Sequence, residues 1–386
     1  MARADARRWG ALASWIRLGA WAPLLLACAA PAQERLPLTD TLETIRAKYH
    51  LPALAAAVVR EESVIEIEAV GRRTIGEKVP VIAEDQWHIG SCGKSMTATL
   101  AAILVEDGKI AWGTTIGQVF PEWQELIEPA WRAVSLEQLL QHRGGAPTQP
   151  PDNLWRNARR ATGTPTAQRL DFVRGLLLRR PVARPGEKMI YSNQGYAIAG
   201  AMLERATGQP WETLMRERLF GPLGMTSAGF GIPGDAQKLD QPWGHRVTDG
   251  QPTPVAPGPQ VDNPAAIGPA GTIYCSIADL ARYAGWHARS VRTTARILGP
   301  GSFTRLHTAP PGSDYAMGWV VAQRDWAGGT ALMHSGSNTM WYAVMWLAPG
   351  KGLALVAATN IAGKDAELGC DAAVAALLQR VSGQAP

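Results

Sequence analysis

A serine and a lysine three residues apart form a pair that could do chemistry. Ser91 and Lys94 lie in the stretch Gln86–Leu104, QWHIGSCGKSMTATLAAIL. Apolar residues then recur with the spacing of one helix face, at Met96, Leu100, Ile103 and Leu104. Positions i and i+3 project from the same side of a helix, so the hydroxyl and the amine would be neighbours. A neutral amine could accept the hydroxyl proton at a helix N-terminus, which predicts an activated nucleophile.

Two further short stretches carry groups that could assist this pair. Tyr191-Ser192-Asn193 stands just before a predicted helix that Gly208 would close. His334-Ser335-Gly336, followed by Ser337, lies at a predicted strand edge. Each stretch alone is a weak signal because such combinations occur by chance. The order and placement of the three together are far more specific.

The three stretches resemble the signature of the penicillin-recognising serine hydrolases, which is Ser-x-x-Lys, then Tyr-x-Asn, then a basic residue-x-Gly. The Tyr-Ser-Asn form is similar to the branch that holds class C β-lactamases, some D,D-carboxypeptidases and family VIII esterases. Several flanking stretches look similar too, namely Leu139–His142 (LLQH), Tyr191–Gly200 (YSNQGYAIAG) and Gly268–Tyr283 (GPAGTIYCSIADLARY). The resemblance covers nearly all of the chain after residue 32.

The resemblance implies a role for each matching residue. Ser91 would attack a carbonyl carbon and become acylated, while Lys94 and Tyr191 would share the general-base work. The resemblance also implies substrate or oxyanion roles, which would fall to Asn193, His334, Gly336 and Ser337. Backbone N–H groups of Ser91 and Ser337 would form the oxyanion hole. No cofactor is implied.

The departures from the family pattern concern the substrate more than the reaction. His334 stands where most β-lactamases have lysine, and a histidine with its ordinary pKa of about 6.5 is largely neutral at neutral pH. Arg143-Gly144-Gly145 follows His142 where the family often has Thr-Ser-Gly, which puts the hydrogen bonds of that loop in question. We therefore expect an acyl hydrolase for esters, D-amino-acid amides or peptides, with weak β-lactam turnover.

Strand patterns occur at both ends of the chain, with helical patterns between them. The predicted strands are Ala53–Arg60, Val64–Val70, Met317–Ala322, Trp341–Leu347 and Leu353–Ala358. This arrangement predicts an α/β fold of the β-lactamase/transpeptidase type, in which one antiparallel sheet from both termini is flanked by helices. The sheet part would comprise residues 33–90 and 305–386, and residues 91–304 would be mainly helical. Gly250–Gly271 is rich in Pro and Gly, which favours a long surface loop.

Residues 1–32 have the pattern of a signal peptide. Four arginines precede the short apolar run Leu18–Ala30, and Ala30-Pro31-Ala32 fits a cleavage site after Ala32. The rest, residues 33–386, would be an exported, periplasmic hydrolase domain. Arg7-Arg8 is a weak twin-arginine signal, and Cys28 stands in an imperfect lipoprotein box. We expect a membrane attachment only if Cys28 is lipidated.

Charge and cysteine content exclude other classes of function. The leader holds four of the 38 Lys and Arg residues and one of the 33 Asp and Glu residues, so its removal lowers the formal charge from +5 to +2. No basic cluster then suggests nucleic acid, and the expected partner is a small-molecule or peptidoglycan-derived substrate. Cys92, Cys275 and Cys370 define no disulfide framework, although an oxidising periplasm would allow a single bridge among them. The metal-ligand spacings CxxC and HExxH are absent.

Two other functions remain open at this stage. Gly90–Ser95, GSCGKS, ends like a phosphate-binding loop, but His88 stands where the first glycine should be. A penicillin-binding sensor would keep the fold and the boxes but stall after acylation. Trp87 and Trp341 flank the first and third boxes, where we expect core residues rather than the lining of an acyl pocket.

Overall fold

The computed structural model describes residues 36–258, 261–289 and 297–382, and the predicted leader lies outside these ranges. The described strands are β1 (Ala53–Arg60), β2 (Ser63–Gly71), β3 (Gln86–His88), β4 (Gly229–Phe230), β5 (Gly244–Thr248), β6 (Gln251–Val255), β7 (Ile273–Ser276), β8 (Val320–Arg324), β9 (Gly329–Ser337), β10 (Tyr342–Ala348) and β11 (Leu353–Thr359).

The helices of the same ranges are α1 (Leu38–Lys48), α2 (Gly93–Glu106), α3 (Ile116–Val119), α4 (Leu136–Leu140), α5 (Asp152–Arg160), α6 (Pro165–Leu177), α7 (Asn193–Thr207), α8 (Trp211–Met215), α9 (Gly221–Leu223), α10 (Gly268–Gly271), α11 (Ile277–Arg289), α12 (Pro300–His307) and α13 (Lys364–Ser382). None of them is long and apolar enough to cross a membrane.

An antiparallel sheet built from both ends of the chain confirms the predicted fold. Within the described ranges it has six strands in the order β2-β1-β11-β10-β9-β8. The neighbouring strands β1 and β11, neither of which is an edge strand, are almost continuous apolar runs, and the register places Ala55 opposite Ala358. Such runs are typical of strands that are covered on both faces. Helix α11 covers one face, while α1 and α13 cover the other.

Two helices at the centre of the helical region carry the predicted catalytic boxes. Helix α2 is buried from Gly93 to Leu104. Its amphipathic pattern therefore identifies the most apolar face of the helix, but the opposite face is not exposed to solvent. Helix α7 is buried from Gln194 to Glu204 and ends at Gly208, whose φ of 71° gives the predicted left-handed cap. Helix α10 packs against both of them.

The structure corrects the interpretation of Gly250–Gly271 as a surface loop. Gln251–Val255 is a strand that pairs with β5, and Ala265–Ile267 forms a turn in which Ala266 is fully buried. Proline is tolerated in such a two-stranded edge, so composition alone is misleading here. The proposed boundaries at residues 91 and 304 stay a prediction, and helix α11 from the middle part packs on the sheet.

Candidate active site

Ser91 lies in a tight turn between a strand and a buried helix. The 3-10 turn Gly90–Cys92 joins β3 to α2, and β3 is held by pairing with β7. Gly90 has a φ of 50°, a backbone conformation that residues with side chains adopt at some cost. The turn therefore presents the Ser91 side chain at the N-terminal end of α2, as the sequence predicts.

Lys94 contacts the Ser91 hydroxyl directly. Its side chain is fully buried, and its Nζ lies 2.8 Å from Ser91 Oγ. The same nitrogen lies 2.7 Å from Asn193 Oδ1 and 2.7 Å from the carbonyl oxygen of Ala270. All three donors of the ammonium form therefore have an acceptor, which makes the buried position tolerable.

Burial lowers the pKa of Lys94 to about 7, although nearby Cys92 opposes the shift. Much of the lysine is then a neutral amine near neutral pH, with two N–H bonds and one lone pair. Asn193 Oδ1 and the Ala270 carbonyl can only accept hydrogen bonds, so they take the two N–H groups. The lone pair is left for the Ser91 hydroxyl, which is the arrangement that a general base needs.

Tyr191 lies close to both the Lys94 amine and the Ser91 hydroxyl. The amine is 4.9 Å from the centre of the Tyr191 ring. Burial raises the pKa of Tyr191 well above its ordinary value, although its interaction with Ser91 opposes the change. The phenol is therefore protonated near neutral pH. This favours Lys94 as the proton acceptor and Tyr191 as a group that passes a proton on.

Asn193 is the first residue of α7, and the turn before it is firmly held. Ser192 caps the helix, accepting from Gly195 N at 3.2 Å, and donates to the Pro147 carbonyl at 2.6 Å. The Ser192 amide donates to His142 Nδ1 at 3.2 Å. The loop after His142 thus keeps hydrogen bonds to the second box, even though Arg143-Gly144-Gly145 replaces the usual family sequence.

The main-chain amides of Ser91 and Ser337 lie side by side because glycines stand at their contact. A Cβ atom at Gly336 would come within 2.3 Å of Ser91 N, and one at Gly90 would come within 2.3 Å of Ser337 N. Any larger residue would push strand β9 away from the nucleophile turn. The two amides are thus placed where an oxyanion hole for a substrate on Ser91 would be.

His334 is buried next to the other boxes, with its ring centre 6.4 Å from that of Tyr191. Its side chain is buried, with Nε2 3.0 Å from the Tyr315 hydroxyl and Nδ1 2.7 Å from the Ser335 carbonyl. A carbonyl can only accept, so Nδ1 carries the proton and Nε2 accepts from Tyr315. Burial, followed by the charge of Lys94, lowers the pKa of His334 to about 3. His334 is therefore neutral near pH 7, and both ring nitrogens have protein partners.

A cavity of about 700 Å³ adjoins this site. Thr272 and Asn263 line it, and Asn263 donates to the Gly271 carbonyl at 2.9 Å. Its apolar walls include Phe230 and Ile232. Neither Ser91 nor Lys94 lines the cavity, and its lining residue Thr272 is two positions from Ala270, whose carbonyl binds Lys94.

Sequence reasoning did not identify some of the groups that complete the site. The Ala270 carbonyl, which binds Lys94, is a main-chain atom, and no side-chain pattern reveals it. Tyr315 belongs to none of the three boxes, yet its hydroxyl fixes the ring of His334. Only the tyrosine type itself, placed ahead of a strand, gives a weak signal for such a role.

The structure resolves several of the alternatives from the sequence. The Lys94 amine faces Ser91 instead of an open loop, so the phosphate-loop interpretation is wrong. Trp87 and Trp341 are buried and pack edge to face at 6.1 Å, as core residues do. Burial raises the pKa of Cys92 to about 12, which argues against a thiolate. Among the described residues, the cysteines form no disulfide and no acidic, histidine or cysteine cluster could hold a metal ion.

Comparisons with known proteins point in the same direction. The beta-lactamase family profile matches residues 38–379. Penicillin-binding protein 4 of Amycolatopsis lactamdurans is 27% identical over 331 residues, which cover 83% of this chain and 84% of that protein. A beta-lactamase of Escherichia coli is 25% identical over 231 residues, which cover 60% of this chain and 56% of that protein.

Solved structures share the fold at lower identity. The octameric penicillin-binding protein homologue from Pyrococcus abyssi superposes with a TM-score of 0.73 at 22% identity, over 89% of this chain and 77% of that one. The D-alanine carboxypeptidase AmpC from Burkholderia cenocepacia gives a TM-score of 0.68 at 21% identity, over 88% of this chain and 97% of that one. Since the family profile spans nearly the whole described chain, the protein belongs to the beta-lactamase family and is a serine hydrolase.

Proposed function

We propose that this hydrolase works through an acyl-enzyme on Ser91 and acts on esters, D-amino-acid amides or peptides, with weak β-lactam turnover. The single observation that carries the reaction is the 2.8 Å contact between the Ser91 hydroxyl and a buried Lys94 amine of lowered pKa. The names of relatives and structural neighbours, which include penicillin-binding protein, beta-lactamase and D-alanine carboxypeptidase, support the peptide, amide and β-lactam part of this range.

The proposed mechanism follows the bonds of the site. The Ser91 oxygen attacks the substrate carbonyl while its proton moves to the lone pair of Lys94. The amides of Ser91 and Ser337 stabilise the developing oxyanion, and removing one such donor typically costs about 3–4 kcal/mol of barrier. The leaving group takes a proton from Lys94 directly or through the Tyr191 hydroxyl. Water then attacks the acyl-enzyme by the reverse sequence of proton transfers and frees Ser91.

The neutral state of His334 supports the proposed order of substrates. A β-lactam carries a carboxylate next to its reacting amide, and a fixed positive charge in the third box would attract it. His334 supplies no such charge, because burial lowers its pKa to about 3 and its ring nitrogens bind Tyr315 and Ser335. Substrates without that carboxylate lose nothing by this, so we rank esters and neutral amides ahead of β-lactams. A D-Ala-D-Ala peptide, whose leaving group also carries a carboxylate, lacks the same attraction and is therefore ranked below the esters.

A substrate panel tests both parts of this proposal. Nitrocefin, p-nitrophenyl butyrate and a D-Ala-D-Ala peptide are compared by kcat/KM, with Ser91→Ala as the control. We expect the ester to be the best substrate and Ser91→Ala to lose at least about 10³-fold in kcat. Wild-type rates in Ser91→Ala would refute the nucleophile. A nitrocefin efficiency well above that of the other two would overturn only the substrate order.

The penicillin-binding sensor remains the second candidate, because the same boxes serve a protein that acylates and stalls. Intact-protein mass spectrometry after addition of penicillin separates the two functions. We expect an adduct that disappears within the time of several turnovers and regenerates free enzyme. An adduct that persists for hours, together with no turnover of the ester, would favour the sensor.

We also propose that the chain is exported and that residues 1–32 are removed. The arginines ahead of an apolar run and the small-residue cleavage site are the observations behind this proposal. The mature N-terminus is then expected at Gln33, which mass spectrometry of the periplasmic fraction measures. A lipidated N-terminus at Cys28 would replace the free periplasmic form with an anchored one.

A further inference from the structure

A buried chain of hydrogen bonds connects the two strand ends that carry the oxyanion amides. His88 Nε2 lies 3.1 Å from the Asp262 carboxylate, and the Gly90 amide donates to His88 Nδ1 at 3.1 Å. On the other side, Asn338 Nδ2 donates to Asp262 Oδ1 at 3.0 Å, and its Oδ1 accepts from Met340 N at 3.2 Å. The side chains of His88, Asp262 and Asn338 are each at most 8% exposed.

We propose that His88, Asp262 and Asn338 are positioning residues that hold the Ser91 and Ser337 amides at the spacing an oxyanion needs. This inference rests on the proposed function. We call this hydrogen-bonded network the oxyanion bridge. At one end it binds the amide of Gly90, the residue before Ser91, and at the other end it includes Asn338, the residue after Ser337. The oxyanion bridge therefore holds the Ser91 and Ser337 amides in place without contacting the reacting atoms itself.

Every donor and acceptor of the oxyanion bridge has a defined role. The Gly90 N–H must meet a lone pair, so His88 Nδ1 is unprotonated and Nε2–H donates to Asp262. Asp262 accepts hydrogen bonds from the His88 and Asn338 side chains and from the Asn263 main-chain amide, and three donors of this kind suit a carboxylate. Burial alone would raise the pKa of Asp262, but the contacts with His88, Asn338 and the Asn263 amide outweigh burial and keep the pKa below its ordinary value.

Contact between the two strand ends explains why their spacing needs control. The glycines at 90 and 336 allow the closest approach, since a Cβ at either one would meet a backbone atom at about 2.3 Å. Sterics thus set how near the amides can come, but they do not stop the two ends from separating. The oxyanion bridge keeps the two ends from moving apart. Small shifts of such donors weaken transition-state binding more than substrate binding.

Asp262→Asn breaks the bridge with little change in shape. An asparagine offers one acceptor and one donor, whereas His88 and Asn338 both present N–H groups to it. In one of the two contacts, an N–H group of the new asparagine therefore faces the N–H group of its neighbour, and no hydrogen bond can form there. The double variant Asp262→Asn/Asn338→Asp restores the pairing, because the new amide donates to the new carboxylate and accepts from His88. The second oxygen of the new carboxylate still accepts from Met340 N.

Affinity for phenylboronic acid reports on the oxyanion amides without turnover. The boronic acid binds a serine oxygen as a tetrahedral adduct, and one boronate oxygen occupies the oxyanion position. We expect Asp262→Asn to lose about 10- to 100-fold in boronate affinity and in kcat, less than removal of a donor outright. KM for the best ester should change little, and the double variant should return close to wild type. Asp249→Asn, on an exposed turn, is the matched control and should behave as wild type.

The outcomes separate the inference from the function on which it rests. A folded Asp262→Asn variant with wild-type boronate affinity would overturn the oxyanion bridge alone. If Asp262→Asn does not fold, Asn338→Ala removes one arm only, and wild-type boronate affinity in that variant would overturn the inference too. A double variant that folds without recovering affinity also contradicts it. Equal boronate affinity in wild type and Ser91→Ala would refute the proposed nucleophile and, with it, any positioning role for the bridge.

Discussion

Lys94 is the residue whose charge state controls the proposed reaction. Its amine is fully buried between Ser91, Asn193 and Ala270, and burial lowers its pKa to about 7. Only the deprotonated amine can accept the serine proton. We therefore expect kcat/KM for a p-nitrophenyl ester to rise about tenfold per pH unit below pH 7 and to level off above it. A profile that is flat from pH 5.5 to 8.5, or that falls as the pH rises through 7, would contradict this assignment.

A histidine could produce a similar profile, so the pH experiment needs a control at His334. Burial lowers the pKa of His334 to about 3, which keeps the ring neutral throughout the measured range. The variant His334→Gln should therefore keep the same rise near pH 7, whatever its absolute rate. A rise that disappears in this variant would assign the ionisation to His334 instead of Lys94.

At this scale, the sequence predicts which residue types meet but not all the partners that each side chain has in the folded protein. The spacing of Ser91 and Lys94 on one helix face was sufficient to predict their contact, which the structure shows at 2.8 Å. The sequence predicts a largely neutral His334 that contacts the substrate. The structure agrees with the neutral ring and adds that the ring is buried and hydrogen-bonded to the hydroxyl of Tyr315. Such properties depend on contacts between residues distant in the chain, which local patterns do not contain.

At the scale of elements, the site depends on close contact between the end of strand β9 and the nucleophile turn. A Cβ at Gly336 would lie 2.2 Å from the Ile89 carbonyl oxygen and 2.3 Å from Ser91 N. Gly336→Ala should therefore displace the strand end and reduce kcat by about 10²-fold or more, the cost of losing an oxyanion donor. Steady-state kinetics and a thermal melt of the variant measure the two effects separately.

Gly301→Ala is the matched control for that variant. Gly301 lies in helix α12, and a Cβ there would meet nothing within 4 Å. Alanine in a helix is favoured over glycine by about 0.5–1 kcal/mol, so this variant should keep full activity and equal or higher stability. Equal activity in Gly336→Ala and Gly301→Ala would show that the close contact is not needed.

Most elements are visible in the sequence because their apolar patterns are strong. Strand β1 begins and ends where the pattern predicts, and the prediction for β11 is one residue short. Strand β8 starts later than predicted, because Gly318 adopts a φ of 79° and interrupts the apolar run from Met317. The error at Gly250–Gly271 has a different cause. Proline and glycine content indicates irregular backbone, but it does not reveal whether the segment is buried against α2 and α7.

At the scale of the whole molecule, Arg169 links several helices of the helical region. Its buried guanidinium pairs with Glu204 of α7, and its Nη2 lies 2.6 Å from Glu212 of α8 and 3.2 Å from the Ala265 carbonyl. Arg169→Met leaves Glu204, 6% exposed, without its countercharge. We expect the free energy of unfolding to fall by about 3–5 kcal/mol, as measured by denaturant titration.

The pH dependence of that loss gives a second check. Burial raises the pKa of Glu204, and Arg169 opposes this increase. Without the arginine the pKa rises further, so the folded state holds a proton that the unfolded state releases, and stability falls as the pH rises. The loss should thus be larger at pH 8 than at pH 5. Arg205→Met, whose ion pair with Glu122 is about half exposed, is the control and should cost less than about 1 kcal/mol. Similar losses in both variants would contradict the structural role of Arg169.

The order of elements explains why the whole fold could be predicted while its central packing could not. Strands at both ends and helices between them require the termini to meet in one sheet, and β1 does pair with β11. The buried pairing of Arg169 with two glutamates leaves no mark in the sequence, since the three residues belong to separate helices. Hydrophobic periodicity identifies faces, whereas buried ion pairs follow from the assembled structure.

The central claim is that Ser91 carries the acyl group during turnover. Rapid mixing with p-nitrophenyl butyrate, an acid quench and peptide mass spectrometry test it directly. We predict a butyryl group on the peptide that contains Ser91, with fragment ions that place it on the serine oxygen, and no such adduct in Ser91→Ala. An acyl group on Cys92 or Lys94, or turnover of the ester by Ser91→Ala at the wild-type rate, would contradict the account.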